Sequence, residues 1–375
     1  MPARTVLTGA ALLLATALAT AFTTPAAPAH AATLGAVDAA VRSGVPGVTV
    51  TVRDRHGTWS ATAGVGDLRT GRSRSAEDRY RVGSLTKTFV ATVLLQLEAE
   101  GRLSLDDTVD TWLPGLVDGH GNDGRRITLR QLLSHTSGVH SYTADQDFRA
   151  RYFTEDGFRE HRYDTLTPRR LVALAVRHAP DFAPGTSWRY SNTNYVLAGL
   201  VIEKATGHPY ATEITRRVID PLRLTATSVP GAAVTVPRPS SRAYSKLGDP
   251  AGAPYDVTDL DPSFAAASGA MISDSADMDR FYAALLGGRL LPARQLAEMK
   301  TTVEIGEDAD VRYGLGLMDR RLSCGVHVWT HTGDIQGSTS VAATTPDGRH
   351  TLAANFNGDW AGGTGTVLEA EYCGD

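Results

Sequence analysis

The chain has 375 residues, 42% of them hydrophobic, and a formal net charge of −4 at pH 7. This length is enough for one large domain or two intertwined ones. The charge balance shows no basic excess, so nucleic acid and anionic membrane surfaces are not expected partners. Neither a glycine-rich phosphate loop nor a His/Cys cluster with metal-ligand spacing occurs, and we expect no cofactor and no metal.

The N-terminal segment has the pattern of an export signal. Residues 1–31 contain Arg4, an apolar run around 12–14, and Ala29–Ala31 as a small-x-small cleavage pattern. The run is interrupted and is followed by prolines, which disfavours a retained transmembrane helix. We therefore expect a secreted protein that is cleaved near Ala31, has no stable membrane anchor and is a monomer.

Apolar periodicity and turn residues predict the remaining elements in chain order. Helices are predicted at 34–41, 84–100, 129–133, 168–176, 194–206, 278–286, 293–299 and 365–372. Strands are predicted at 48–52, 58–63, 313–317, 326–330, 338–345 and 351–356. These elements predict an α/β fold (an α+β sandwich) with one antiparallel sheet built from both ends of the chain and flanked by helices. Residues 32–105 with 222–375 would form this domain, and 106–221 a mostly helical one.

The predicted helix at 84–100 begins with an unusual pair of residues. Its apolar positions are Leu85, Phe89, Val93 and Leu97, with Val90 and Leu94 beside them, so the helix should be buried. Ser84 and Lys87 lie three residues apart on one face, at the positive end of the helix dipole. A buried amine has a lowered pKa and can act as a base toward a hydroxyl, which an arginine cannot do. Because this spacing also arises by chance, its meaning depends on the other motifs.

Two further motifs lie far along the chain. Tyr190–Asn192 stands before the predicted helix at 194–206, and His331–Gly333 ends the predicted strand at 326–330. Together with Ser84–Lys87, and in this order, they resemble the three active-site elements of the penicillin-recognising serine hydrolases. The resemblance covers nearly all of the chain after the signal and is closest to secreted D-alanyl-D-alanine carboxypeptidases. It implies a beta-lactamase/transpeptidase-like fold, with the site between an all-helical domain and a sheet flanked by helices.

The resemblance implies a role for each residue of these motifs. Ser84 would be the nucleophile and Lys87 its base or proton shuttle. Tyr190 would pass a proton to the leaving group, and Asn192 would hold the substrate carbonyl or Lys87. His331 would orient Tyr190 and adjust its pKa.

Further residues are expected to bind substrate, namely Thr332, Gly333, Asp334, Gln336 and Met318. The backbone N–H groups of Ser84 and Asp334 would form the oxyanion hole. The His135–Gly138 segment has nearly the letters of the third motif, but it follows a helix and matches a structural loop of the family.

Two substrate-binding positions depart from the carboxypeptidase pattern. Met318 replaces an arginine that grips the terminal carboxylate of the substrate, and Asp334 replaces a threonine. Both changes weaken carboxylate recognition, and Asp334 could hold an amine instead. As an alternative, Arg320 or Arg321 could supply the missing cation from a shifted strand.

The two cysteines of the chain are Cys324 and Cys373. An even count in an exported protein favours a disulfide. The expected function is an acyl-serine hydrolase of the D-alanyl-D-alanine carboxypeptidase type that acts on small peptides and is acylated by β-lactams. The alternatives are a D-aminopeptidase, D-amino-acid amidase or esterase with the same machinery, and a penicillin-binding sensor without turnover.

Overall fold

The computed structural model describes residues 1–3, 30–306 and 308–374. Most of the predicted export signal at 1–31 lies outside the described residues, so secretion and cleavage near Ala31 stay predictions. Ala31 is the first residue of a helix, and the side chain of His30 lies 3.0 Å from Glu371. Within these described ranges, no helix has the length and apolarity needed to cross a membrane.

The strands come from both ends of the chain. In chain order they are β1 (Gly47–Asp54), β2 (Gly57–Asp67), β3 (Arg72–Ser73), β4 (Tyr80–Arg81), β5 (Asp118–Gly119), β6 (Asn122–Asp123), β7 (Tyr244–Ser245), β8 (Tyr255–Asp256), β9 (Ile272–Ser273), β10 (Val303–Glu304), β11 (Val311–Tyr313), β12 (Met318–Arg321), β13 (His327–Ile335), β14 (Ser338–Thr344) and β15 (Thr351–Phe356). One nine-stranded sheet has the order β10-β11-β12-β13-β14-β15-β1-β2-β3, and its pairings are antiparallel. The predicted antiparallel sheet is therefore confirmed.

The helices pack on both faces of this sheet. Most of them lie in the part of the sequence between β3 and β10. They are α1 (Ala31–Arg42), α2 (Thr86–Ala99), α3 (Val109–Trp112), α4 (Leu129–Leu133), α5 (Gln146–Tyr152), α6 (Glu155–His161), α7 (Pro168–Ala175), α8 (Asn192–Thr206), α9 (Tyr210–Ile214), α10 (Asp220–Leu222), α11 (Ser275–Leu286), α12 (Ala293–Met299) and α13 (Thr364–Cys373). Local signals set several boundaries: Thr128 and Gln131 form the predicted capping box of α4, and Gly207 ends α8 at φ +76°.

Strand alternation divides the core into two layers. One sheet face, with side chains such as Val50 and Val341, packs against α1 and α13. The other face, with Ala342 and Ala353, joins a larger core that includes α2, α8 and α11. Helix α2 is buried nearly all round, as its apolar pattern predicted. The helix that carries the Ser84–Lys87 motif therefore lies at the centre of the molecule.

Several predicted elements have different bounds in the structure, and three of these differences lie next to site residues. The strand expected at 313–317 is wrong: β11 ends at Tyr313, and 314–317 form a tight turn in which the Gly314 N–H donates to Leu317 O at 2.7 Å. Strand β13 continues through the His331 motif to Ile335 because 329–335 pair with 338–344. Helix α8 begins two residues early, at 192. The division into domains at 105/106 and 221/222 stays a prediction.

Candidate active site

Ser84 lies in a single 3-10 turn, Gly83–Leu85, that leads directly into α2. Gly83 has φ +55°, a left-handed conformation that favours glycine. The hydroxyl of Thr86 donates to the carbonyl of Gly83 at 2.8 Å and fixes the turn from within α2. The turn leaves Ser84 half-buried, although its neighbours in the chain are fully buried. A nucleophile is thus presented at the start of a buried helix.

Lys87 is buried in the first turn of α2 and contacts three oxygen atoms. Its Nζ lies 2.9 Å from Ser84 Oγ, 2.7 Å from Asn192 Oδ1 and 2.6 Å from the carbonyl of Ser268. Burial lowers the pKa of Lys87 well below 10.5. A neutral amine has two N–H donors and one lone pair, and the amide and carbonyl oxygens can only accept. In the neutral form both donors are used by these two oxygens, and the lone pair faces the hydroxyl of Ser84.

Asn192 is held by two hydrogen bonds besides the one to Lys87. Its Nδ2 donates to Thr143 Oγ1 at 3.1 Å, and its backbone N–H donates to Ser141 Oγ at 3.1 Å. These contacts orient the amide so that Oδ1 faces Nζ. Of the two roles expected for Asn192, the structure contains the contact with Lys87.

Tyr190 precedes α8 and packs over the lysine, with its ring centre 4.8 Å from Nζ of Lys87. Burial raises the pKa of Tyr190, and the nearby hydroxyl of Ser84 opposes this rise. Its phenol therefore keeps its proton at neutral pH. This state suits a proton donor to a leaving group, the role that the resemblance implies for Tyr190.

His331 lies on β13, but its hydrogen bonds do not go to Tyr190. Nδ1–H donates to the carbonyl of Thr332 at 2.5 Å, and Nε2 accepts from the hydroxyl of Tyr313 at 2.9 Å. The rings of His331 and Tyr190 have centres 6.3 Å apart. Burial, with Lys87 nearby, lowers the pKa of His331 to about 3. The hydrogen-bond partner of this histidine is thus Tyr313, and not the Tyr190 phenol that the sequence interpretation had it orient.

Three residues at the site were missed by sequence reasoning. His135 packs against Tyr190 with ring centres 4.3 Å apart, and its Nε2 lies 3.2 Å from the hydroxyl of Tyr313. The similarity of segments 132–138 and 313–317 to the family could have indicated both His135 and Tyr313. Ser268 contacts Lys87 through its backbone carbonyl, which no residue type would reveal.

The backbone of the Ser84 turn lies directly against β13. A Cβ built on Gly83 would lie 2.7 Å from the amide nitrogen of Asp334, and one on Gly333 would lie 3.0 Å from that of Ser84. Both glycines are therefore required by close backbone contact. The contact brings together the two N–H groups that we expect to form the oxyanion hole.

The residues predicted to bind substrate differ in how far their side chains are buried. Gln336 is buried, and its amide donates to the carbonyl of Tyr152 at 2.9 Å, so this side chain supports the wall. Met318 and Thr332 are half-buried. Met318 begins β12 and pairs with Thr330, the residue before His331.

Asp334 is exposed at the edge of an open cavity of about 500 Å³, whose lining includes Arg149, Lys246 and Trp360. Its Oδ1 accepts from Thr339 Oγ1 at 2.8 Å. The surrounding cleft walls remove part of its hydration and raise the pKa of this carboxyl group. Within the described part of the chain, no ion pair to Asp334 is formed.

The two arginines that could have replaced the missing cation lie elsewhere. The guanidinium of Arg320 is 3.3 Å from the position that a Cβ on Gly365 of α13 would occupy. Arg321 lies 3.7 Å from the carboxylate of Asp310. The predicted disulfide is confirmed: Cys324 and Cys373 are bonded, with 5.7 Å between their Cα atoms.

Comparison with known proteins gives a consistent result. The Beta-lactamase family model matches residues 28–366. The crystal structure of a D-stereospecific amidohydrolase from Streptomyces sp. is 58% identical, covers 93% of this chain and 100% of that chain, and has a TM-score of 0.89. The crystal structure of the D-amino acid amidase from Ochrobactrum anthropi SV3 is 28% identical, covers 90% of this chain and 97% of that chain, and has a TM-score of 0.77.

Among curated relatives, penicillin-binding protein 4* of Bacillus subtilis (strain 168) is 26% identical over 283 residues, which is 73% of this chain and 59% of that protein. The chain spans 28% to 59% of the length of the first curated relatives that it matches. The family model includes the Ser84 turn, Tyr190 and the His331 strand, which the fold brings together around Lys87. The chain belongs to the Beta-lactamase family and is a serine hydrolase with that fold.

Proposed function

We propose that the protein hydrolyses amides of D-amino acids whose α-amine is free. The observation that carries this proposal is the carboxylate of Asp334, which stands directly after Gly333 beside the predicted oxyanion hole. Within the described residues its one side-chain hydrogen bond comes from Thr339. A substrate ammonium group would complement this charge, whereas a carboxylate would be repelled. Similarity to a D-stereospecific amidohydrolase and to a D-amino acid amidase supports the proposal.

The contacts of Lys87 support acylation of Ser84 as the first half of the reaction. Ser84 Oγ attacks the amide carbonyl while its proton passes to Nζ of Lys87. The carbonyl oxygen becomes negative and accepts from the N–H groups of Ser84 and Asp334. Tyr190 gives its proton to the leaving nitrogen and regains one from Lys87. Ammonia or an amine leaves, and the acyl group is bound to Ser84 as an ester.

Water completes the reaction. It attacks the ester carbonyl and gives a proton to Lys87, which is neutral again after acylation, and that proton returns to Ser84 as the C–O bond breaks. The free D-amino acid then leaves the site. A β-lactam would acylate Ser84 by the same first step, with the ring nitrogen as the leaving group.

The contacts of Arg320 and Arg321 make the carboxypeptidase alternative less favoured. A peptide that ends in a carboxylate would meet Met318 in place of the arginine expected there. It would also meet the negative charge of Asp334. An esterase would use the same steps with an alcohol as the leaving group, so an ester substrate is needed to distinguish this activity.

The test compares D-alanine amide, D-alanine methyl ester and D-alanyl-D-alanine in separate kcat/KM measurements. We expect the amide and the ester to exceed the dipeptide at least tenfold, because repulsion between Asp334 and the carboxylate of the dipeptide should cost at least about 1.4 kcal/mol. A preference for the dipeptide would contradict the proposed repulsion between Asp334 and a substrate carboxylate. N-acetyl-D-alanine amide, which lacks the ammonium group, serves as the matched control substrate.

The variant Asp334→Asn tests the role of the charge directly. We expect it to raise KM for D-alanine amide about tenfold and to leave kcat/KM for the N-acetyl amide nearly unchanged. Asp249→Asn, which removes another carboxylate from the lining of the same cavity, should change neither value. Equal effects of Asp334→Asn on both substrates would mean that Asp334 does not bind the amine.

A further inference from the structure

We propose that Tyr313 and His135 are positioning residues: with His331 they form one uncharged hydrogen-bond chain that joins the two walls of the cleft and holds His331 and Tyr190 in their active arrangement. The inference requires only that the Ser84–Lys87 site is active. It therefore does not depend on whether the substrate is an amide, an ester or a peptide.

A backbone N–H group determines which atoms donate and which accept at the His135 end of this hydrogen-bond chain. Nδ1 of His135 lies 3.2 Å from the backbone nitrogen of Ser191 and 3.2 Å from Nδ2 of Asn194. A backbone N–H can only donate, so Nδ1 accepts and carries no proton. The proton of the neutral ring is on Nε2, which donates to the hydroxyl of Tyr313 at 3.2 Å.

The second end is determined in the same way. The carbonyl of Thr332 can only accept, so Nδ1 of His331 carries the proton. Its Nε2 is then an acceptor for the hydroxyl of Tyr313 at 2.9 Å. The phenol of Tyr313 therefore receives one hydrogen bond and gives one. A proton added to either histidine would set two donors against each other.

This chain connects elements that are distant in sequence. His135 follows α4 and contacts the backbone next to Tyr190, whereas Tyr313 ends β11 and His331 lies on β13. The ring of His135 also packs on Tyr190. His135 has φ +60°, an unusual conformation for a residue other than glycine, which persists only where surrounding contacts hold it.

The charged and titratable groups that face His331 are Lys87 on α2, Tyr190 before α8, Tyr313 on β11 and, through Tyr313, His135. Asp334 lies on the same strand. A cationic His331 would place a second positive charge beside Lys87 and oppose its protonated state during turnover. Burial lowers the pKa of both histidines, which agrees with a chain that is neutral at every link.

The test is Tyr313→Phe, which removes only the hydroxyl. We expect kcat to fall about ten- to a hundredfold with little change in KM. The variant also loses the donor to Nε2 of His331, so the pKa of His331 should rise relative to the wild type and the acid side of the kcat/KM profile should shift toward higher pH. Nitrogen NMR of labelled histidine should show an unprotonated Nε2 on His331 in both proteins at neutral pH, with protonation in the variant beginning at a higher pH than in the wild type.

Tyr282→Phe is the matched control, because the hydrogen-bond partner of this buried hydroxyl is Thr88. It should lose a similar amount of stability and leave the pH profile unchanged. His135→Gln can accept from Ser191 and donate to Tyr313, so it should retain more activity than His135→Ala. An unchanged profile and unchanged histidine spectrum in Tyr313→Phe would overturn the inference. If that variant does not fold, equal loss in the two His135 variants would overturn it.

Discussion

Lys87 and Asn192 lie in the first turns of two different helices, α2 and α8, and their side chains meet at 2.7 Å. The amino-terminal ends of both helices therefore point at the same place. Helix starts carry partial positive charge, which disfavours protonation of the amine to ammonium and favours the negative oxygen of an acylation intermediate. The same pair of helices therefore positions the base, Lys87, and stabilises the negative charge that develops during acylation.

Lys87→Arg should lower kcat about a thousandfold, close to the effect of Lys87→Ala. The guanidinium keeps the positive charge but cannot accept the proton of Ser84. Steady-state kinetics on D-alanine amide, with circular dichroism to verify folding, measures the effect. A variant with more than a tenth of wild-type activity would mean that the positive charge, and not proton transfer, is what matters.

Lys87→Met should change how stability depends on pH. The pKa of Lys87 is lowered in the folded protein, so between that value and 10.5 the unfolded chain binds one more proton. In this window wild-type stability rises with pH, by up to about 1.4 kcal/mol per unit, and the penalty is complete below the folded pKa.

The methionine variant lacks this contribution. Urea unfolding at pH 7 to 10 should therefore show the wild type gaining on Lys87→Met as pH rises. Lys204→Met, at an exposed position, should follow the wild type in parallel. Parallel curves for Lys87→Met would show that the amine is not held neutral.

Gly83→Ala should reduce kcat at least a hundredfold in a folded protein. The added methyl group would lie 2.7 Å from the amide nitrogen of Asp334 and push apart the two predicted oxyanion donors. Gly101→Ala is the control, because Gly101 has φ +68° but nothing within 4 Å of the added atom. Acylation rates measured with a penicillin, by intact mass, separate this loss from substrate binding. Similar activity in both variants would contradict the proposed donors.

Replacing Cys324 and Cys373 with serine should destabilise the protein by up to roughly 4 kcal/mol, because the bond closes a loop of 49 residues. The melting temperature should fall, and kcat/KM should stay within about twofold, since the bond joins α13 to the β12–β13 connection away from Ser84. Calorimetry in the absence of reductant measures the first effect. A large loss of activity at a temperature where the variant is folded would link the bond to the site.

Local chemistry explains which parts of the fold could be predicted. The Thr128 capping box, the proline at 168 and the all-round apolar pattern of α2 act within a few residues, so these elements were predicted closely. The segment at 313–317 misled the interpretation because its leucines are buried in a turn and not in a strand. A short apolar segment that is buried in a turn has the same sequence pattern as one that is buried in a strand.

The site residues also differ in whether local sequence spacing or only the folded structure reveals their contacts. Ser84 and Lys87 are neighbours on one helix, so their spacing alone indicates contact. His135 and Tyr313 are brought together by tertiary packing from segments 178 residues apart, and their individual residue types are common in protein cores. Asp334 was recognised because it departs from a pattern. Its surroundings, including the positions of Arg320 and Arg321, depended on the fold.

The pairing of β1 with β15 has a consequence for the way the chain reaches its native state. Val48 pairs with Phe356, roughly 300 positions further along, and β2 alone is available to β1 before then. Contacts of such separation slow folding, because a long loop must close before they form. During synthesis from the amino terminus, the β1–β2 hairpin exposes an unpaired edge until the last strand has been made. Productive folding should therefore follow completion of the chain, and truncation before β15 should yield aggregation-prone species.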